Sequence, residues 1–232
     1  MIAAVLPCST SPSEGGAVTS FSALDALPGI TARFIGRIPD IDVELQREEA
    51  MARLAPHHRR ILQSEGLGVY PFVTAEQVHG NTVSVVDTPS NPDPIAGADG
   101  LATITRGITL GIYVADCAPV WVIARNGAGG ALLHSGKKGT ELGVLSLGIE
   151  TLCALGNFAP SDLLVLIGPC IRTPCYEVDF AAEIRRQAQL AGVAEIHDDL
   201  TCTACHPDLY YSYRRERGLT GRMLATLTLL PS

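Results

Sequence analysis

The sequence contains no apolar run long enough to cross a lipid bilayer, so no membrane-spanning helix is predicted. Its first residues, MIAAVLPCST, include no basic residue, and Pro7 interrupts the apolar stretch, so no export signal is predicted either. The seven cysteines are odd in number and lie in apolar or motif-like contexts, which is typical of thiols kept reduced. We therefore expect a cytoplasmic protein whose cysteines are buried thiols or ligands.

Positive charge is also scarce, since 17 Lys and Arg against 24 Asp and Glu give a formal net charge of −7. Binding to a nucleic-acid backbone or a membrane surface is therefore not expected, although a local basic cluster could hold a small anion. The glycine patterns of nucleotide sites are missing as well. No G-x-G-x-x-G follows a predicted strand, and the stretch 136–140, GKKGT, lacks the first glycine of a phosphate loop because position 131 is Ala.

Charged residues make up only 18% of the chain and hydrophobic residues 47%, which favours a packed core over disorder. We find no repeat and no long linker, so one domain over residues 1–232 is predicted. Residues 8–20 are rich in Ser, Thr, Pro and Gly, which predicts that residues 1–20 form a loose N-terminal arm.

The predicted helices and strands are mixed along the chain rather than strictly alternating. Helical spacing over residues 42–65 is interrupted by Pro56, which predicts two helices there. Short β-branched runs such as ITLGIYV, PVWVIA and DLLVLIG predict buried strands, and a further helix is predicted to open at Thr140. This order favours a layered α/β (α+β) fold with mixed β-sheets over a Rossmann arrangement.

Three potential metal ligands follow or end predicted strands: His79, Cys117 and His134. Binding sites of α/β proteins are usually built at strand ends and in the loops just beyond them. Two imidazoles and one thiolate suit zinc, and three protein ligands leave one position for water or substrate. On spacing alone, a surface or hydrogen-bonded histidine and a buried thiol are the more common explanations, so the metal site is one of two interpretations at this point.

Other polar residues near these positions suggest an anion site. Lys137 and Lys138 precede the predicted helix, whose N-terminus would favour a phosphate, although a solvated turn explains them as well. Arg214 is a further candidate, with a surface ion pair to Glu216 as the alternative. Asp116 could orient a neighbouring ligand or simply cap a turn.

The segment Cys202-Thr-Ala-Cys205-His206 matches the C-x-x-C-H pattern of c-type haem attachment. Haem attachment would require export, which is not expected here. One C-x-x-C could also be half of a zinc site, but the sequence offers no matching second pair.

Together these motifs resemble those of the polyphenol oxidase (laccase) domain family, whose YfiH-like members are also described as purine nucleoside phosphorylases. The resemblance covers residues 70 to 230 or so and depends on an ordered set of short motifs. They are Gln77–Gly80, Ala98–Gly100, Ala115–Val120, His134–Gly136, Gly168–Ile171, Cys175–Val178, Cys202-Thr203, Ser212–Arg215 and Thr220–Arg222.

This resemblance implies that His79, Cys117 and His134 are the ligands of a zinc ion, with copper less expected. It implies a layered α/β/β/α sandwich, also related to cysteine-hydrolase toxins. It further implies phosphorolysis of adenosine, inosine and methylthioadenosine, with adenosine deamination as a second activity. Catalytic roles then fall on Cys117, His134 and Asp116, and binding of substrate or phosphate falls on four residues: Gln77, Lys137, Lys138 and Arg214.

The chain departs from the family where Ala-Gly-Trp-Arg usually follows the second histidine, because it reads Ser135-Gly136-Lys137-Lys138. Lys138 keeps the charge of that arginine but not its bidentate fork. Several alternatives therefore stay open: a metal-free cysteine hydrolase using Cys117 and His134, an enzyme that edits peptidoglycan precursors, and a non-catalytic ligand-binding module. A multicopper laccase is disfavoured, because such a centre needs on the order of ten His and Cys ligands in clusters. The oligomeric state is not predicted, although a monomer would suit a small-molecule enzyme.

Overall fold

The computed structural model describes residues 8–13, 16–88 and 93–231. Its twelve strands form two six-stranded sheets. In spatial order the first sheet contains β1 (Cys8–Ser13), β2 (Gly16–Phe21), β3 (Ile30–Ile35), β12 (Met223–Leu229), β7 (Thr109–Val114) and β4 (Phe72–Thr74). The second contains β11 (Glu195–Asp198), β10 (Leu163–Ile167), β8 (Ala118–Ala124), β9 (Gly130–Ser135), β6 (Gly100–Thr103) and β5 (Val83–Val85).

Both sheets mix parallel and antiparallel pairs. Most pairs are antiparallel, while β4 runs parallel to β7, β5 to β6 and β10 to β11. The described helices are α1 (Ser22–Asp25), α2 (Arg47–Ser64), α3 (Lys137–Glu141), α4 (Val144–Gly156) and α5 (Phe180–Leu190). The predicted α/β fold with mixed sheets is confirmed.

The main core lies between the two sheets, and Trp121 of β8 connects them. Its indole is fully buried, packs against Phe21 with ring centroids 5.1 Å apart, and donates a hydrogen bond to the carbonyl of Thr226 in β12 at 3.0 Å. A buried indole N–H needs such a partner, because an unpaired donor would cost free energy. A second core cluster packs α4 and α5 against the other face of the second sheet.

Two helix predictions were wrong at their boundaries. Helix α2 continues through Pro56 as one helix, because Ala50, Leu54 and Ile61 keep a single buried face on both sides of the proline. The helix predicted to open at Thr140 is two helices, α3 and α4, divided at Gly143, whose φ of 76° lies in the left-handed region. Within the described residues, no helix has the length and apolar character needed to span a membrane.

The N-terminal segment also differs from the loose arm that its composition predicted. Strands β1 and β2 pair as an antiparallel hairpin, with Thr10 opposite Thr19, and β2 continues onto β3. Pro12 is compatible with this pairing because β1 is an edge strand, where a missing N–H can face away from the sheet. Residues 1–7 of the predicted arm lie outside the described residues.

Candidate metal centre and its cleft

The structure brings His79, Cys117 and His134 together, with their ligand atoms all within 4.8 Å of one another. The two imidazole rings meet edge to face, with centroids 4.8 Å apart. His134 is buried, Cys117 is half-buried and His79 is exposed, so the group opens toward solvent on one side. Two nitrogens and one sulfur at this spacing form a group that could hold a metal ion with an open position.

Local backbone geometry places these three side chains. His134 lies on β9 opposite Pro119 of β8, which puts it beside the turn that carries Cys117. His79 has a φ of 61° in the loop between β4 and β5, a left-handed conformation that non-glycine residues rarely adopt. Gly136 leaves room for the thiol, because a Cβ there would lie 2.5 Å from Cys117 Sγ. The left-handed backbone of His79 is a strain of the kind often found at functional sites.

Asp99 holds the two histidines in place, a role that the sequence alone did not indicate. Its carboxylate is fully buried and lies 2.9 Å from Nδ1 of His134. The same carboxylate accepts hydrogen bonds from the backbone N–H groups of His79 at 2.9 Å and Gly80 at 2.6 Å. Since Nδ1 of His134 points at Asp99, its Nε2 is the nitrogen left for a metal. A carboxylate behind a histidine in this way is common at metal sites, where it fixes the tautomer and orientation of the ring.

Two residues predicted for the site are occupied by structural contacts. The side-chain amide of Gln77 donates to the carbonyl of Tyr113 at 2.5 Å and accepts from its N–H at 2.9 Å, so it joins two backbone segments at the edge of the cleft. The carboxylate of Asp116 accepts from Thr203 Oγ1 at 2.6 Å, Ser212 Oγ at 3.0 Å and the N–H of Arg214 at 2.7 Å. Asp116 thus connects the turn before Cys117 to the C-terminal segment, and the carboxylate that contacts His134 is Asp99.

The thiol of Cys117 and the imidazole of His134 affect each other's ionisation. Burial raises the pKa of Cys117, but the charge of His134 and hydrogen bonds from His134 and His79 outweigh burial and lower this pKa to about 6. Burial lowers the pKa of His134, but the Cys117 thiolate and Asp99 outweigh it and raise this pKa to about 9. Without a metal the pair therefore favours thiolate and imidazolium, and the thiolate is the form that binds metals or attacks electrophiles.

The three donors lie in a cleft of about 930 Å³ whose wall carries six basic side chains: Arg47, Lys137, Lys138, Arg214, Arg217 and Arg222. The sequence had pointed to three of these. Lys137 and Lys138 are exposed and lie in α3, not before a helix, and among the described residues neither forms an ion pair. Arg214 pairs with Glu177 at 3.1 Å, whereas Glu216, the partner considered from sequence, pairs with Arg37.

Arg47 and Arg222 were missed because they are far apart in sequence and belong to no shared motif. Burial lowers the pKa of Arg222, and the positive charge of Arg47 lowers it further, so the two guanidinium groups repel each other across the cleft. Among the described residues, the guanidinium of Arg222 donates to the backbone carbonyls of Thr220 and Gly221, both at 2.9 Å. Tyr213, Cys117 and Asp116 act on the pKa of Arg222 in the opposite direction without cancelling this effect, and an anion bound in the cleft would offset the remaining repulsion.

Aromatic rings complete the wall of the cleft. Tyr113, Tyr176, Phe180 and Tyr213 all line it. The guanidinium of Arg214 lies 5.4 Å from the ring centre of Tyr176, and Tyr176 meets Phe180 edge to face. Aromatic side chains offer flat apolar surfaces against which a heterocyclic base can stack.

Comparison with known proteins places this geometry in context. The family model described as multi-copper polyphenol oxidoreductase laccase matches residues 36–188 and 178–230. The chain is 31% identical to a purine nucleoside phosphorylase of Corynebacterium glutamicum over 76% of this chain and 81% of the relative. It is 27% identical to the purine nucleoside phosphorylase YlmD of Geobacillus stearothermophilus over 86% and 89% of the two chains.

Solved structures show the same fold. The crystal structure of YlmD from Geobacillus stearothermophilus matches with a TM-score of 0.84 and 24% identity, covering 97% of this chain and 100% of the other. A crystal structure of a Neisseria meningitidis protein matches with a TM-score of 0.77 and 21% identity, covering 97% and 99%. The resemblance found in the ordered sequence motifs is thereby confirmed.

Proposed function

This chain belongs to the family of multi-copper polyphenol oxidoreductase laccases, and we propose that it is a zinc-dependent purine nucleoside phosphorylase. The observation that carries the proposal is the convergence of His79, Cys117 and His134 within 4.8 Å in a cleft with basic and aromatic walls. Relatives named purine nucleoside phosphorylases, at 27% and 31% identity, support the same reaction. Adenosine, inosine and methylthioadenosine are the proposed substrates, with adenosine deamination as a second activity.

The donor set suits zinc and does not suit a harder ion. Imidazole and thiolate are soft to borderline ligands that suit zinc, whereas magnesium and calcium prefer oxygen ligands. The hydrogen bond between Asp99 and Nδ1 of His134 leaves Nε2 for the ion. Zinc bound here would polarise an oxygen or nitrogen of the substrate as a Lewis acid and lower the pKa of bound water to about 7.

Phosphorolysis requires that phosphate be held below the sugar while the base leaves. A phosphate oxygen forms a bond to the anomeric carbon as the bond from that carbon to the purine nitrogen breaks. The electron pair of the broken bond leaves with the base, which takes up a proton, and ribose 1-phosphate remains. Arg47 and Arg222, whose positive charges repel each other, are the proposed phosphate ligands, together with Lys137 and Lys138.

The aromatic wall is the proposed site for the purine. Tyr113, Tyr176 and Tyr213 supply flat rings, and the cleft volume of about 930 Å³ is within the range of small-molecule sites. Stacking on such rings fixes the plane of the base, and closure by the side chains around it reduces access of water to the sugar. Phosphate rather than water is then the nearest nucleophile.

The test is the metal content of the purified protein together with phosphate-dependent release of hypoxanthine from inosine. Wild type is expected to contain zinc and to turn over, and Cys117→Ala is expected to contain less zinc and to lose turnover. Cys153→Ala is the matched control, because this half-buried thiol lies on α4, outside the His79 group, and is expected to keep both. Zinc-loaded wild type that releases no base with phosphate present would reject the phosphorylase proposal.

A second candidate keeps the same residues without a metal. The lowered pKa of Cys117 and the raised pKa of His134 are those of a thiolate–imidazolium pair, which favours a cysteine hydrolase acting on an amide or ester. Such an enzyme would keep its activity in a chelator and lose it on alkylation of the thiol. Loss of inosine cleavage on chelation, with recovery on adding zinc, would exclude this mechanism for the nucleoside reaction.

A further inference from the structure

A second group of soft ligands lies outside the cleft centre. Cys175, Cys202 and Cys205 have sulfur atoms that all lie within 4.8 Å of one another, and the Sγ atoms of Cys175 and Cys205 are 3.4 Å apart. The sequence showed the C-x-x-C pair alone. Folding brings a third thiol to it from 30 residues earlier in the chain.

Backbone hydrogen bonds hold the two loops that carry these thiols together. The N–H of Cys170 donates to the carbonyl of Thr201 at 3.2 Å, and the N–H of Thr203 donates back to the carbonyl of Cys170 at 3.1 Å. These bonds form a short parallel bridge between Cys170 and Cys202. Backbone hydrogen bonds between the two loops therefore help to keep the three thiols near one another.

Backbone contacts hold the sulfur of Cys202 in place. It accepts a hydrogen bond from the N–H of Arg172 at 3.4 Å and lies 4.0 Å from the carbonyl oxygen of the same residue. Cys202 directly precedes the 3₁₀ turn formed by Thr203–Cys205, so this short turn keeps the thiols of Cys202 and Cys205 close together.

The spacing of the three sulfurs matches a metal polyhedron. With a Zn–S bond of about 2.3 Å, the sulfurs around a tetrahedral zinc are separated by ~3.8 Å. The Sγ atoms of Cys175 and Cys205, 3.4 Å apart, are slightly closer than this separation. No two sulfurs of the group are more than 4.8 Å apart, which is somewhat longer than this separation. Thiolate is the form of cysteine that binds metal ions, and one cation between the three sulfurs would offset the repulsion of their charges.

We propose that Cys175, Cys202 and Cys205 bind one Zn²⁺ ion, separate from the ion proposed for His79, Cys117 and His134. The exposed side of Cys205 leaves the fourth position to water. This ion would link the loop that carries Tyr176 to the loop of Thr203, whose hydroxyl donates to Asp116 beside Cys117. An ion here would therefore stabilise one wall of the cleft.

The experiment measures zinc per chain in protein purified under reducing conditions without chelator. Cys205→Ser is expected to contain about one zinc less than wild type, and Cys153→Ser, whose thiol lies outside both groups, is expected to match wild type. This difference does not depend on the function of the cleft, because the His79 group is intact in both variants. Equal zinc in all three proteins would overturn the proposal.

A second measurement on wild type avoids any effect of substitution on folding. The exposed thiol of Cys205 is expected to resist iodoacetamide as purified and to be alkylated once a strong chelator removes the ion, with the modified residue identified by mass spectrometry. Prompt alkylation of Cys205 before chelation would overturn the proposal. So would recovery of a Cys175–Cys205 disulfide from freshly reduced, zinc-loaded protein.

Discussion

His58 is expected to make the protein sensitive to acid. It lies on the buried face of α2, packs on Tyr113 with ring centroids 5.6 Å apart, and among the described residues neither ring nitrogen has a hydrogen-bond partner. Burial, together with the smaller effect of the neighbouring His57, lowers its pKa from 6.5 to about 4. The folded protein therefore holds His58 neutral at pH values where the unfolded chain binds a proton.

The sign and size of the effect follow from this difference in pKa. Because the folded pKa is the lower one, the stability that His58 contributes is complete above pH 6.5 and is lost as the pH falls toward 4. The loss approaches about 3 kcal/mol by pH 4 and reaches about 2 kcal/mol at pH 5.

Replacing His58 with Phe removes the titrating group and keeps a ring against Tyr113. In urea unfolding between pH 4 and 8, the free energy of unfolding of His58→Phe is expected to fall less steeply with decreasing pH than that of wild type. At pH 8 its free energy of unfolding is expected to be unchanged or higher, since two unpaired nitrogens are removed. His57→Phe on the same helix is the control and is expected to keep most of the wild-type slope, because burial is the larger cause of the lowered pKa of His58. Parallel curves for wild type and His58→Phe would refute the reasoning.

Three further predictions concern the cleft. Asp99→Asn is expected to weaken metal binding by about 10- to 100-fold in a chelator competition, because the amide cannot accept all the N–H groups that His134 and the backbone present. Gly136→Ala is expected to lower metal content and activity together, since its Cβ would lie 2.5 Å from Cys117 Sγ, and unchanged metal content would contradict this. Arg222→Gln is expected to raise the KM for phosphate on the order of tenfold while metal content stays constant, and an unchanged KM would remove Arg222 from the phosphate site.

The sequence by itself was sufficient for much of the fold. Strands such as β8 and β10 are continuous runs of apolar, mostly β-branched or leucine residues, and a chain segment of that composition is buried wherever it is placed. The candidate metal ligands were also visible, because His79, Cys117 and His134 interrupt or end such runs. Helix boundaries were less visible, since the single buried face of α2 outweighs the local preference of Pro56.

Only the tertiary structure decided which side chains meet. Asp99 lies 35 residues from His134, and Cys175 lies 30 residues from Cys205, so no local pattern could pair them. The same packing turned Asp116 toward Thr203 and away from the histidines. The physical reason is that the local sequence determines which segments are buried and which backbone conformation they prefer. Register between strands and contacts between loops depend on packing between distant parts of the chain, and that packing decides which charged and metal-binding side chains meet.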